Sequence, residues 1–293
     1  MKQALVIYSL VAGLKNRSRS EHIIMERLLA LGYRVDLIYL DPDFEKEVEN
    51  FDLPNISLVV AAGGDGTVKV AARTIITFKM KADLGIIPMG SANVIAAALN
   101  IPQKFDEALQ VVEKYKKIVK IDVGVVNDEH YFLIGLSLGY ISKVVTSTTR
   151  EIKNKYGLIG YFLNLVFNKI KMRRHRFFIH FANGEAVVKG NSLVVFNALD
   201  YYGVKPKKPV NLQDGILNLY VFTSKTFLSL LTSFFYILWY HQPPRYITSI
   251  DSTRFHIDMD CGVKSCQIDG DYIRLSKPID IEIKSQILPV ITR

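Results

Sequence analysis

Apolar and polar positions along this chain follow two different grammars. In the first, Lys2–Ser9, Tyr33–Leu40, Ile56–Ala62 and Ala82–Pro88 are short, nearly unbroken apolar runs. Such runs, rich in β-branched residues, are the pattern of strands covered on both faces of a parallel sheet. Between them lie segments of helical period. Ser20–Leu31 carries Ile23, Ile24, Leu28 and Leu31 and stops at Gly32, as a helix does. Phe44–Phe51, Val68–Phe78, Val94–Leu99 and Lys104–Lys117 read as the other helices. The alternation predicts an α/β domain with an open parallel sheet over residues 1–118.

From Val119 the period changes to that of short strands. They are expected at Val119–Val126, Tyr131–Ser137, Phe177–Phe181, Ala186–Asn197, Leu217–Phe222, Thr253–Met259, Val263–Ile268 and Ile279–Ile283. Asn127-Asp128, Asn183-Gly184, Asp214-Gly215 and Asp269-Gly270 separate them as turns. This predicts an all-β sandwich over residues 119–285 with two helical insertions. The first, Ile141–Lys171, ends in the basic group Lys169, Lys171, Arg173, Arg174 and Arg176. The second, Phe227–Tyr240, is almost wholly apolar and too short to span a bilayer. It reads as a core helix, a homodimer face or an interfacial segment.

Composition narrows the partners. The chain has 293 residues, 49% hydrophobic and 22% charged, natural for two globular domains. A net charge of +9 suits anions such as nucleotides and the headgroups of an anionic membrane surface. No aromatic-interleaved basic module or zinc-finger spacing favours nucleic acid. Cys261 and Cys266 form no CxxC pattern and suggest a reducing compartment. The start of the chain shows no cleavage pattern after its apolar run, so a cytoplasmic protein is expected. His22, His175, His180 and His256 show no metal-ligand spacing and are expected to be surface or satisfied side chains.

The chemistry concentrates where two apolar strands end. Ile56–Ala62 breaks into Gly63-Gly64-Asp65-Gly66-Thr67, and Ala82–Pro88 runs into Met89-Gly90-Ser91-Ala92-Asn93. Each turn opens a helix, which aims backbone N–H groups at a bound phosphate. The three glycines of the first loop allow positive φ angles and close approach of the main chain to a ligand, and Thr67 supplies a cap or phosphate donor. In an open parallel sheet, adjacent strand ends share one crevice where ligands bind. The plainer reading of each is a capped βα turn. The basic loop after the first strand, with Lys15, Arg17 and Arg19, could clamp phosphate or face solvent.

Gly-Gly-Asp-Gly-Thr is shared by diacylglycerol-type lipid kinases, NAD kinases and phosphofructokinases. Further motifs follow in order: Ile87–Ala96, Lys155-Tyr156-Gly157 with Tyr161, Asn197-Ala198, Asp214-Gly215 and Asp269-Gly270-Asp271. Over nearly its whole length the chain resembles the bacterial diacylglycerol kinase-like lipid kinases, relatives of the sphingosine and ceramide kinases. The resemblance implies ATP and Mg2+ as cofactors, a lipid hydroxyl as acceptor, and peripheral contact with a membrane. It also implies that residues 286–293 return to the first domain. By resemblance, Gly63, Gly64, Asp65, Gly66 and Thr67 cradle the ATP phosphates, with Asp65 in the magnesium network. Ser91 and Asn93 take the second loop's part in nucleotide binding. Asp214, with the backbone of Asn211 and Ile216, matches a structural magnesium site, and Asp271 stands where the family has a glutamate base.

The chain departs from the family pattern in four places. Ser9-Leu10 replaces Asn-Pro, Val70 and Val94 stand where acids are usual, and Asp271 is one methylene shorter than Glu. Two alternatives stay open on these residues: an NAD kinase, and a non-catalytic protein that binds nucleotide or lipid.

Overall fold

The computed structural model describes residues 2–10, 17–147, 172–198, 211–226, 229–230, 232–233, 246–260, 266–275 and 278–293. The chain divides into two units, Met1–Ile121 with Gln286–Arg293, and Asp122–Ser285.

In the first unit the order is β1 (Lys2–Tyr8), α1 (Arg17–Ala30), β2 (Tyr33–Tyr39), α2 (Phe44–Val48), β3 (Ile56–Gly63), α3 (Asp65–Thr77), β4 (Asp83–Pro88), α4 (Val94–Ala98) and α5 (Phe105–Lys114). The strands pair in parallel in the order β2-β1-β3-β4. The end of the last strand, β16 (Ile279–Thr292), joins beside β4, with Val290 opposite Leu84. This is the open parallel sheet that the continuous apolar runs predict. Val6, Tyr8, Val60 and Ala62 pack with Ile24 and Leu28 of α1 and with Leu109 and Val112 of α5. Each large aliphatic side chain so buried stabilises the fold by about 1.5–3 kcal/mol.

The second unit is built from two sheets. Its first strand, β5 (Lys117–Val126), enters from the first unit and pairs with β6 (His130–Phe132). One sheet has β7 (Gly135–Gly139), β10 (Ser192–Phe196), β11 (Leu217–Phe222), β12 (Ile247–Ser252), β14 (Cys266–Ile268) and β15 (Asp271–Ile273), in the order β12-β11-β10-β7-β14-β15. The other runs from the start of β16 through β13 (Arg254–Met259) and β8 (His175–Phe181) to β9 (Gly184–Gly190), all antiparallel. Leu136, Leu193, Leu219 and Ile268 of the first sheet meet Phe177, Ile179, Phe255, Ile257 and Ile281 of the second in one core. Alternate residues of β13 are buried and the others open to solvent, as in a sandwich. Helix α6 (Tyr140–Ser147) follows β7.

Several boundaries differ from the sequence reading. Helix α1 begins at Arg17, so Arg17 and Arg19 are helical, whereas Lys15 lies outside the described residues. Helix α5 ends at Lys114 because Tyr115 turns into the left-handed region, with φ 46°. The expected strand Tyr131–Ser137 breaks at Leu133–Ile134, whose N–H groups donate to the Asp269 carboxylate. Ala186–Asn197 breaks at Asn191, which donates to the Ser224 carbonyl. The Lys155–Gly157 motif, Tyr161, Lys169, Lys171, Cys261 and most of Phe227–Tyr240 lie outside the described residues. Among the described residues no helix is long and apolar enough to cross a membrane. Cys266 is fully buried, and burial pushes its thiol up to about 12, away from the reactive thiolate form.

Candidate functional site

In the first unit the two glycine loops follow β3 and β4, which are neighbours in the sheet. Helix α3 begins at Asp65, not Val68, because Gly64 already stands at the N-cap position. Its carbonyl accepts the N–H groups of Thr67 (2.9 Å) and Val68 (3.2 Å). Thr67 is therefore the third helical residue, 2% exposed, and not a cap.

The loop glycines are needed for clearance. None of Gly63, Gly64, Gly66 and Gly90 has a positive φ, so the freedom that the first loop's three glycines allow is not used there. A Cβ on Gly63 would lie 2.2 Å from the Thr67 hydroxyl oxygen and 2.9 Å from the Ser9 Cβ. One on Gly90 would lie 2.6 Å from the Gly64 Cα, and the Met89 N–H donates to the Gly63 carbonyl at 2.8 Å. The two loops thus meet main chain to main chain. Gly66 differs, because a Cβ there meets nothing within 4 Å.

Asp65 ties the two loops together, and Asn93 closes the second. The Asp65 Oδ1 accepts the Ile95 N–H at 3.1 Å, so a carboxylate from the first loop holds the start of the helix that follows the second. Burial raises the Asp65 carboxyl above its ordinary value, and the N–H groups of Ile95, Val94 and Asn93 oppose that shift. Asn93 sits at φ 48°, a conformation asparagine tolerates. Its Oδ1 accepts the Gly90 N–H (2.9 Å), and its Nδ2 donates to the Gly90 carbonyl (2.8 Å) and to Gln103 (3.0 Å). Asn93 is 7% exposed and closes its own loop, whereas Ser91 is exposed. Val94 is 4% exposed.

This arrangement separates two tests. Gly64→Val would push on Gly90, with 3.3 Å between its Cβ and the Gly90 Cα. At Gly66 an added Cβ has no neighbour within 4 Å beyond its own helix, and Gly66→Val removes a helical glycine. The Gly66→Val protein is expected to fold and melt at or above the wild-type temperature, yet lose its stabilisation by ATP. That stabilisation is about 2.7 kcal/mol at a nucleotide concentration 100-fold above Kd. A Gly66→Val protein that ATP stabilises as it does wild type would place the phosphates elsewhere.

In the second unit, motif residues far apart in sequence form one hydrogen-bonded chain. Asp122 is fully buried; its carboxylate accepts the Gly215 N–H (2.7 Å) and the Ser285 hydroxyl (3.1 Å). Gly215 has φ 67°, so the Asp214-Gly215 turn needs glycine there. The Asp214 Oδ1 accepts the Ile216 N–H at 3.0 Å, and the Asn211 carbonyl accepts the Asp214 N–H at 3.4 Å. Asp214 is exposed as a residue, yet shielding of its carboxyl, and then the Asp122 charge, raise it above its usual range against the Ile216 N–H. Asn197 is fully buried and donates to the carbonyls of Asp122 and Leu133, both at 3.0 Å.

Asp269 continues the chain. Its carboxylate accepts the N–H groups of Leu133 (2.8 Å), Ile134 (3.0 Å) and Gly135 (2.9 Å). Asp269 (φ 48°) and Gly270 (φ 95°) make a tight hairpin turn. Asp271 leaves that turn as the exposed first residue of β15, the last strand of its sheet. Of the two aspartates in the motif, one anchors the turn and the other is offered to solvent. Asp122 was not singled out from sequence, although an isolated acid inside KIVKIDVGVV was a signal for a buried structural carboxylate. Among the described residues no three His, Cys, Asp or Glu side chains gather as a metal cage. The oxygens around Asp214 do suit a hard divalent cation, which would offset the charge that Asp122 adds there.

Residues 3–126 match the family model of the diacylglycerol kinase catalytic domain. The chain is 31% identical over 200 residues to proteins called "Probable lipid kinase YegS-like" from Yersinia pestis and Yersinia pseudotuberculosis. Each of those alignments covers 65% of this chain and 65% of the relative. The crystal structure of a diacylglycerol kinase from Bacillus anthracis str. Sterne aligns with a TM-score of 0.75 at 18% identity, over 100% of this chain and 97% of its own. A second crystal structure from that strain reaches 0.81 at 21% identity, over 100% and 95%. At such identities the structures establish a common fold. The matched domain, the relatives and the fold agree: residues 3–126 are similar to the diacylglycerol kinase catalytic domain, and the chain as a whole resembles the bacterial diacylglycerol kinase-like lipid kinases.

Proposed function

We propose that this protein transfers the γ-phosphoryl group of ATP to a hydroxyl of a membrane lipid. One observation carries the reading: two glycine loops at the ends of neighbouring parallel strands meet main chain to main chain, with Gly66 open at the start of α3. The first N–H groups of a helix have no partner within it and favour an anion. In this reading the backbone of Gly63, Gly64 and Gly66 receives the phosphates, with Thr67 and Ser91 beside it. Asp65 holds the two loops in register and also serves the nucleotide's Mg2+, while Asn93 shapes the second loop. Asp214, with the main chain of Asn211 and Ile216, would hold a second Mg2+ with a structural part. Bound Mg2+ would neutralise charge on the transferring phosphoryl group. Asp271 would orient the lipid hydroxyl and accept its proton.

The lipid acceptor is diacylglycerol- or sphingoid-like in this proposal, and the protein meets it at the membrane surface from the cytoplasmic side. The net charge of +9 and the exposed Arg173 and Arg176 suit anionic headgroups. The buried Val94 and the neighbouring Val70, in place of the family's acids, favour a second reading, a nucleotide- or lipid-binding protein without transfer. A competition assay separates the readings, with γ-labelled ATP, Mg2+, NAD and a total lipid extract in one reaction. Label is expected in the lipid. Label in the dinucleotide would make the protein an NAD kinase, and ATP binding without transfer to either would support the binding protein.

A further inference from the structure

The outer face of the second unit carries a row of four side chains that its strand register brings together. His180 of β8 lies opposite Glu185 of β9 on one side and His256 of β13 on the other. His256 in turn lies opposite Asp280 of β16. Directly opposed residues on one face of an antiparallel pair bring their side chains together. The imidazole centroids of His180 and His256 are 5.9 Å apart. Each ring has a carboxylate on the same nitrogen: His256 Nδ1 is 2.7 Å from Asp280 Oδ1, and His180 Nδ1 is 3.4 Å from Glu185 Oε2. A carboxylate accepts only from a protonated Nδ1, so the neutral His256 ring keeps its lone pair on Nε2, and Glu185 lies on the same side of the His180 ring. Carboxylate–imidazole pairs of this kind fix the tautomer and orientation of metal-binding histidines.

From this row we propose a binding site for a divalent transition metal of the imidazole-preferring class, such as Zn2+, Cu2+ or Ni2+. The Nε2 atoms of His180 and His256 are its two protein ligands, and water completes the shell. Both rings line a cavity of about 350 Å³, which leaves room for those waters. Arg254 also lines the cavity, but it lies opposite Glu282, and Asp128 adds another acid to the wall. The ordering Glu–His–His–Asp exists only across strands, and the chain separation of the two histidines hides it. It is independent of the phosphoryl-transfer reading.

Calorimetric titration of the full, tag-free chain with ZnCl2 tests the site. Wild type is expected to show a one-to-one component that His180→Ala and His256→Ala each abolish. His175→Ala, whose ring lies beside Asp260, leaves that component intact. Asp280→Asn removes only the orienting carboxylate and weakens zinc binding about 10- to 100-fold. Electron paramagnetic resonance of the Cu2+-loaded wild type needs no variant and is expected to show two imidazole nitrogens on the metal. No zinc uptake, a component that survives either histidine substitution, or copper bound by fewer than two imidazoles would overturn the proposal. So would inorganic phosphate, in place of zinc, giving a signal lost with His180 and His256.

Discussion

Asp271→Asn is expected to cut lipid phosphorylation by about 100- to 10,000-fold, the usual range for loss of a general base. ATP should stabilise that variant as it does wild type. The two effects separate because Asp271 is an exposed residue of β15 that follows the Asp269-Gly270 turn, outside the glycine loops assigned to the phosphates. Asp269 performs the anchoring, through three main-chain N–H groups. With that anchor in place the hairpin is expected to survive Asp271→Asn, and melting temperature is the control. Asp271→Glu restores the usual family length and should keep or raise the rate. Full lipid phosphorylation by Asp271→Asn would assign the base to another carboxylate.

Asp65→Asn is expected to fail differently, losing both ATP-dependent stabilisation and turnover. Its effect on the fold has the opposite sign. Burial raises the Asp65 carboxyl, so the folded protein holds that proton more tightly than the unfolded chain does. A raised carboxyl contributes most to stability below its unfolded value near 3.8, and that contribution is lost as pH rises through the folded value. At neutral pH the buried charge is thus a cost. Asparagine keeps an oxygen for the Ile95 N–H without that charge. Thermal melts without nucleotide should show Asp65→Asn as stable as wild type or more so at pH 7, with the difference closing toward pH 4. A variant much less stable at pH 7 would make the carboxylate a net structural asset, and its loss of ATP binding would then carry no weight.

The sequence made the first unit legible because its strands are covered on both faces. Leu5, Ile7, Val59, Val60 and Leu84 are all at 1% exposure or less, and such strands write themselves as continuous apolar runs. Strands covered on one face were harder to read. β12 reads ITSIDS, with four polar positions in six, and no expected strand covered it. β16 was expected to stop at Ile283, because Lys284-Ser285-Gln286 looks like a loop. Those residues are exposed, with Gln286 at φ 53°, yet the strand runs on to Thr292.

The candidate site was legible as motifs but not as roles. Gly-Gly-Asp-Gly-Thr located the first loop, while the reason for Gly63 and Gly90 is a neighbouring main chain or side chain that no local pattern shows. Asn93 closes its own loop and Asp65 spans two, both decided by tertiary contacts. Asp269 and Asp271 look alike as residues of one Asp-Gly-Asp turn, and only the fold separates the hydrogen-bonded anchor from the exposed acid.

Magnesium-dependent transfer of label from γ-labelled ATP to chloroform-extractable lipid, compared between wild type and Gly66→Val, tests the central claim most directly. Wild type is expected to label a lipid whose mass rises by one phosphate, and Gly66→Val, folded and as stable, is expected to label none. Equal labelling by the two proteins would contradict the assignment of the glycine loops as the phosphate site, and no lipid labelled by wild type would contradict the kinase reading itself.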